Sequence, residues 1–579
     1  MSVLAKTLEV SHVESRSNLC ESVGTELVTF YNDHGKRLVG FHDYPISLTA
    51  PDKKWVIVLP GYGETKTDVL TQSYFLARNG FQTLRFDYSD HVGESEGDIA
   101  FTTLERMKGD IVAAIDYVYR RDQVDSVGAV ARSLAVRALI RAARDDDRLA
   151  FLVSLMGVVD LRKTLLAIYQ EDYVESVMNG LCVGVMDVLG FQVDADNFLR
   201  SAIENSYEDL KTTIEDVRRI RAPIAFFAAE KDVWVELQDV RQIVYAVSGK
   251  RRDFQILNGA LHELHENPRL AHKVLKEVVR YCQYYSLKNS DVSAIKKPSS
   301  KELGPRIRKE KERNKLLHVV SKREEREFWK SYLDKYSFVV NVYDYWNLME
   351  LICELLGKLN SHDRVLDVGC GTGNYGTFLF LKLLYRLKHQ SVSPREYPLV
   401  RYVGLDWVKE AALMAAKIHS DVKREFGPTA ALIADGHPFR ASYMLADLDS
   451  AIPLKANTFD KICCNLVVSY LQKPAGAISE LVRVLKPNGK IVVSSLKPFA
   501  DLSEVYRNFV NVAHSKHDIE EARKLLSNAG RVKAKEAEGV YEFFSEEQLV
   551  DLLRNRGVHD IEVYRSFGNQ ANVAVGRKE

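Results

Sequence analysis

No stretch of this sequence reaches the roughly 18 uninterrupted apolar residues that a bilayer-crossing helix needs, and charged residues interrupt every apolar run between Met1 and Glu14. No transmembrane or targeting segment is read, and a cytoplasmic protein is expected. Paired cysteine spacing is also missing. The seven cysteines, Cys20, Cys182, Cys282, Cys353, Cys370, Cys463 and Cys464, are scattered and odd in number, which excludes a CxxC zinc site and a disulfide framework and fits a reducing compartment. Charge of one sign is lacking too. With 80 Lys and Arg against 79 Asp and Glu, nothing steers the chain towards nucleic acid, and small molecules or carrier proteins are the expected partners.

What is present is length and rhythm. At 579 residues the chain exceeds one hydrophobic core, and a prior of about 150 residues per domain makes two domains the economical reading. From Trp55, short apolar runs alternate with helix-period segments: WVIVLPGYGE, FQTLRFDYS, SVGAVARS, LAFLVSLMG, APIAFFAAE and FQIL. Strands buried on both faces read as continuous apolar runs, so a parallel sheet flanked by helices is expected. Residues 1–287 form this first α/β domain, with a cap over about 161–220. Residues 288–326, dense in alternating charge, read as a linker or solvated helix. A second α/β domain, 327–579, starts its rhythm at RVLDVGCGTG and continues through YVGLDW, YMLADL, FDKICCNLV and GKIVVSSL to ANVAVGR. No repeat relates the two halves.

In the first half, Ala131-Arg132-Ser133-Leu134-Ala135 follows the strand VGAV and opens an apolar helix. A nucleophilic serine needs such a sharp strand-to-helix turn with small neighbours, although Ser133 could by itself be a helix N-cap. An α/β-hydrolase triad runs serine, acid, histidine, with the last two after the final strands. Asp232 follows IAFFAAE and His262 follows FQILNGA; Glu230 and His265 are the alternatives. Oxyanion donors are expected from the backbone N–H of Leu134 and of Tyr62, in a turn permitted by Gly61 and Gly63. Cap residues Leu165, Leu166, Tyr169, Val174, Met178 and Leu181 could line an acyl site.

The stretches RFDYSDHVGESEGDI, GAVARSLAVRALI, MGVVDLRKTL, EKDVW and HELHEN resemble the acyl-transferase, or acyl-carrier-protein thioesterase, of bacterial bioluminescence operons over about Glu26 to Tyr285. The resemblance implies a serine hydrolase acting on acyl thioesters, an acyl carrier protein as a partner, and Ser133, Asp232 and His262 as its triad.

In the second half, the strand Val365 to Val368 runs into Gly369-Cys370-Gly371-Thr372-Gly373 and then a helix. Glycines let the backbone approach a nucleoside, and Asp367 at the strand end suits a cationic amino group. Asp406, ending the next strand before Trp407, is placed for ribose hydroxyls, after a longer gap than usual that looks like an inserted loop near Arg386 to Arg395. Asp447 could accept from an adenine amino group, with Leu448 beside it, and Asn465 ends the fourth strand. The set DxGxGxG, LD, ADLxxxIP and LKPNG resembles class I methyltransferases of the small-molecule and quinone type. That implies a Rossmann-like fold and S-adenosylmethionine as cofactor. No Asn-Pro-Pro-Tyr element follows the fourth strand, so carbon, oxygen or carboxylate acceptors remain. His437, His514, His517 and Tyr541 are candidate bases, Tyr343 and Tyr345 could close over the cofactor, and Cys463 and Cys464 read as core.

A bifunctional enzyme for a lipid-like or polyketide-like metabolite is the expectation. The alternatives are an esterase opposing the methyltransferase on one ester, and a hydrolase-fold acyl-binding or docking module.

Overall fold

A computed structural model of the chain describes residues 22–46, 53–247, 252–286, 294–318, 320–334, 342–389, 399–425, 439–513 and 515–579. Among these, ten strands belong to the first half: β1 (Val23–Tyr31), β2 (Arg37–Pro45), β3 (Trp55–Leu59), β4 (Gln82–Phe86), β5 (Val127–Arg132), β6 (Leu149–Leu155), β7 (Val185–Val188), β8 (Phe191–Asp194), β9 (Ile224–Ala229) and β10 (Arg252–Leu257). Eight of them make one sheet in the order β1-β2-β4-β3-β5-β6-β9-β10. Strand β2 is antiparallel to both of its neighbours, and every pair from β4 to β10 is parallel. The apolar runs explain this: all five residues of β3 and all six of β5 and β9 are buried, as strands covered by helices on both faces must be.

The cap comprises helices Leu161–Tyr169, Tyr173–Met178, Ala195–Glu204 and Leu210–Val217, with the β7-β8 hairpin between the second and third. Asp160, Asp172, Asp194 and Asp209 each accept a backbone N–H at the start of one of these helices, which satisfies donors that a helix start leaves free.

The second half supplies β11 (Arg364–Val368), β12 (Val400–Asp406), β13 (Phe439–Leu445), β14 (Phe459–Cys464), β15 (Leu485–Leu496), β16 (Val558–Ser566) and β17 (Ala571–Lys578). Their order is β13-β12-β11-β14-β15-β17-β16, with β17 antiparallel to both neighbours. The strand order reverses at β11, which puts a crevice at its carboxyl end. Cys463 and Cys464 are buried in β14, as expected of core residues. Part of the expected Arg386 to Arg395 insertion lies outside the described residues. No helix among the described residues is long and apolar enough to cross a membrane.

The charged segment, expected as a linker or solvated helix, is largely helical. It forms the helices Ser300–Leu317 and Lys322–Asp334, and the first is docked. Arg85, fully buried in β4, donates from Nη1 and Nη2 to Glu310 at 2.8 and 2.6 Å and from Nε to Asp43 at 2.7 Å. On the same helix, Arg306 donates to Val23 O and Asn314 to Ala537 O. Glu310 is thus buried against Arg85, while Lys301, Arg308, Lys309, Glu312 and Lys315 of the same helix stay exposed.

Candidate active sites

In the first half, the turn from β5 into helix Leu134–Asp145 holds Ser133 at φ 51° and ψ −129°, a left-handed conformation that a serine tolerates only where the surroundings impose it. Ser133 N–H donates to Leu155 O, and Ser133 O accepts from Val136 and Val158. The side chain makes no capping bond; Oγ instead lies 2.9 Å from His262 Nε2. His262 Nδ1 lies 2.8 Å from Asp232 Oδ2, whose other oxygen accepts the N–H groups of Trp234 and Val235 at 2.9 and 3.1 Å. Burial disfavours the imidazolium, but the charge and hydrogen bond of Asp232, with the Asp501 charge, together outweigh it and raise the His262 pKa. The alternatives part from this line: Glu230 is exposed and accepts from Gly259, while His265 is buried against Glu263 and Phe499.

A cavity of about 230 Å³ opens at Ser133, with Tyr62 and Leu134 in its lining. The neighbouring amides of the β3 loop are committed, Gly61 N–H to Glu64 and Gly63 N–H to His91. Burial lowers the His91 pKa to about 4, so this ring is a neutral acceptor. Behind the histidine loop, Arg132 pairs with Glu64 at 3.2 Å and Glu263 at 3.0 Å, and Lys533 of the second half reaches Glu263 at 2.7 Å. Burial alone would raise the Glu263 pKa; Arg132 and Lys533 hold it well below the carboxylate range.

In the second half a cavity of about 610 Å³ lies at the carboxyl end of β11, lined by Asp367, Gly369, Gly371, Asp406, Trp407, Asp447, Leu448 and Asn465 among others. Buried Asp367 accepts from Tyr402 Oη at 2.5 Å, and desolvation still raises its pKa to about 7. Asp406 accepts Gly371 N–H and Val408 N–H, each at 2.8 Å. Asp447 accepts from Lys322 at 2.5 Å and from Asp449 N–H at 2.9 Å. Asn465 accepts from Ser494 at 2.7 Å, and Arg326 lies over the Trp407 ring.

A family model described as acyl transferase matches residues 32–289, and one described as methyltransferase domain matches residues 343–563. The acyl transferase of Photorhabdus laumondii subsp. laumondii is 30% identical over 232 residues, 40% of this chain and 75% of that protein. That of Photobacterium phosphoreum is 25% identical over 235 residues, 41% and 76% of the two chains. The chain belongs to the acyl transferase family. Its acyl transferase domain is fused to a methyltransferase domain. Among solved structures, similarity extends to Est1E of Butyrivibrio proteoclasticus with ferulic acid bound, at 16% identity and TM-score 0.38, covering 45% of this chain and 98% of that one. The esterase domain of a Rhodothermus marinus protein gives 20% identity and TM-score 0.34, covering 45% and 98%.

Several expected residues are displaced. In the acyl transferase domain's cap, Leu165 and Tyr169 line the Ser133 cavity, joined by Leu161, Ile168, Phe198 and Leu199. Leu166 and Met178 face solvent and Val174 packs in the core, because each short cap helix turns one stripe to the cavity and the others elsewhere; Leu181, beyond the end of helix Tyr173–Met178, is exposed. In the methyltransferase domain, Gly373 does not line the cavity; it carries φ 87°, and a Cβ there would meet His419 at 2.7 Å, so it serves helix packing. Tyr345 lines the cavity, whereas Tyr343 is exposed. Tyr541 is buried and hydrogen-bonded to Glu325, with its pKa driven far up by burial and that carboxylate, so it is not a base. His517 is exposed on a helix, and His437 and His514 lie outside the described residues. Trp329, Tyr332 and Tyr470, which also line the cavity, had no motif to announce them; Trp329 and Tyr332 share the aromatic run FWKSYL, and Tyr470 stands apart from it. Lys533 and Asp501, whose carboxylate accepts Glu263 N–H, carried no signal at all.

Proposed function

We propose that the chain is a bifunctional enzyme that transfers an acyl group from a thioester to Ser133, releases it, and methylates a small molecule of lipid-like or polyketide-like character. The observation that carries this reading is the hydrogen-bonded line Ser133, His262, Asp232 at the foot of an apolar cavity. His262 Nε2 takes the Ser133 proton as Oγ attacks the thioester carbonyl, while Asp232 holds Nδ1–H and stabilises the imidazolium. Backbone N–H groups of Tyr62 and Leu134 receive the developing oxyanion. The protonated His262 then gives its proton to the departing thiolate. Water, activated by the same ring, releases the acid, and an alternative nucleophile gives acyl transfer. An acyl carrier protein is the natural donor of such a thioester.

For the second domain the proposed cofactor is S-adenosylmethionine, which supplies an electrophilic methyl group when bound. The residues fit it. Asp367 is a carboxyl whose pKa burial and the Asp406 charge push up to about 7, and a cationic amino group bound beside it would favour its ionised form. The glycines at 369 and 371, both at positive φ, expose backbone to a nucleoside, and Asp406 keeps acceptor capacity for hydroxyls beyond the two amides it receives. Leu448 and Trp407 flank the base, with Asp447 and Asn465 as polar contacts. The test is intact-mass analysis after incubation with a panel of acyl thioesters. An acyl adduct present in the native chain and lost in Ser133→Ala supports the reading; turnover without any dependence on Ser133 overturns it.

A further inference from the structure

The cavity at Ser133 and the cavity at Asp367 share two lining residues, Leu502 and Ala529. Ala529 lies on helix Lys516–Ala537, which belongs to the methyltransferase half yet roofs the acyl transferase cavity. On this helix Leu526, Gly530 and Lys533 face Ser133's cavity, while Leu525 and Val532 face the other. The spacings 525/529/532 and 526/530/533 are neighbouring stripes of one helix, so the two spaces lie against adjacent faces of that helix with Ala529 in both linings. Between them stand an alanine methyl and a leucine side chain, neither charged nor hydrogen-bonding.

The helix is pinned in that place. Leu189 O sits 1.7 Å from where a Cβ on Gly530 would be, so only glycine admits the cap turn. Ser527 and Arg531 donate to Asp187 of the same cap hairpin at 2.8 and 2.9 Å, and Tyr506, on the adjoining helix Ser503–Val510, donates to Ile168 O at 2.5 Å. Beyond the partition, Leu496, Leu525, Val532 and Phe567 give the cofactor cavity an apolar wall that a nucleoside cofactor does not require and a hydrocarbon chain does.

We propose that the two cavities are one chamber for a single acyl chain. The carbonyl is held at Ser133, and the chain passes Leu502 and Ala529 so that its distal part is the methyl acceptor of the second domain. This rests on the reading that Ser133 carries an acyl ester. An oxygen or acidic carbon of the chain forms the bond to the methyl carbon and loses its proton to water, while the carbon–sulfur bond breaks with its electron pair staying on sulfur, leaving the neutral thioether. Tethering the acceptor at one end raises its local concentration at the other.

The test uses the full chain and an alkyl fluorophosphonate bearing a terminal diazirine, in butyl and dodecyl lengths. After Ser133 is labelled, irradiation fixes the distal carbon to whatever it touches, and peptide mass spectrometry maps the site. The dodecyl probe is expected to mark Leu496, Leu525, Val532 or Phe567, which line only the cofactor cavity, and the butyl probe to mark only residues around Ser133. Dodecyl cross-links confined to cap residues such as Phe198 and Leu199 would overturn the shared chamber while leaving the acyl-enzyme intact. No labelling of the native chain, judged against Ser133→Ala, would instead bring down the serine reading and the chamber with it.

Discussion

Replacing Glu310 by alanine tests how firmly the connecting helix Ser300–Leu317 is docked. The carboxylate receives two N–H groups from Arg85, at 2.8 and 2.6 Å, inside a fully buried site. Removing one partner of a buried ion pair costs about 3–5 kcal/mol when the other charge is stranded. Arg85 is not stranded, because Asp43 at 2.7 Å and Lys66 O at 2.9 Å still accept from it. The cost should therefore fall to about 2–3 kcal/mol, and Glu310→Gln, which keeps one acceptor oxygen, should cost less than Glu310→Ala. A local loss of about 2.8 kcal/mol corresponds to roughly hundredfold faster amide exchange, at about 1.4 kcal/mol per tenfold. Hydrogen exchange read by mass spectrometry on the peptide 300–317 measures this directly and does not require two-state unfolding of a two-domain chain. Acceleration below about threefold, the scale of an exposed ion pair, would refute the docking argument.

Two further predictions concern protons. Only neutral His262 can take the Ser133 proton, and its pKa lies above the ordinary 6.5; acyl-enzyme formation with a p-nitrophenyl ester should therefore fall as pH drops through that raised value. Asp232→Asn should move the inflection down while slowing the reaction, and a flat profile between about pH 5.5 and about pH 9 would contradict the assignment. Asp367 titrates near 7 in the free chain and must be ionised to hold an amino group, so S-adenosylmethionine affinity measured by calorimetry should weaken as pH falls below about 7, by up to about tenfold per unit. Asp367→Asn should cost about tenfold to a hundredfold and flatten that dependence; retention of the pH dependence in Asp367→Asn would place the titrating group elsewhere.

The strands and turns of both domains were legible because each is local. A run such as WVIVL can bury both faces only in a covered sheet, and a serine at a strand end with alanines two positions away on either side, Ala131 and Ala135, fits a sharp turn. The Pro-Asn-Gly of LKPNG lies within the span of β15, where Asn488 has φ 58° and the pairing with β14 jumps from Leu485 to Lys490. Side-chain facing in the cap was not legible, since helices of nine and six residues present too little periodicity to say which stripe meets Ser133. Nor was the fate of the charged segment. Glu310 and Lys533 look like solvated charges until Arg85 and Glu263 arrive from positions over 200 residues away, and no local pattern encodes such a partner.

Helix Lys516–Ala537 turns a different stripe to each cavity, and that makes the two activities poor candidates for interchangeable parts. A chain shortened to its acyl transferase half would lose the Lys533 partner of Glu263 and the Asp501 acceptor of its N–H, next to His262. Any residue change that enlarges one cavity at position 529 or 502 reshapes the other in the same stroke. Substrate preference in such a chain can drift only in step, so a homologue with an altered acyl range should also differ in what it methylates.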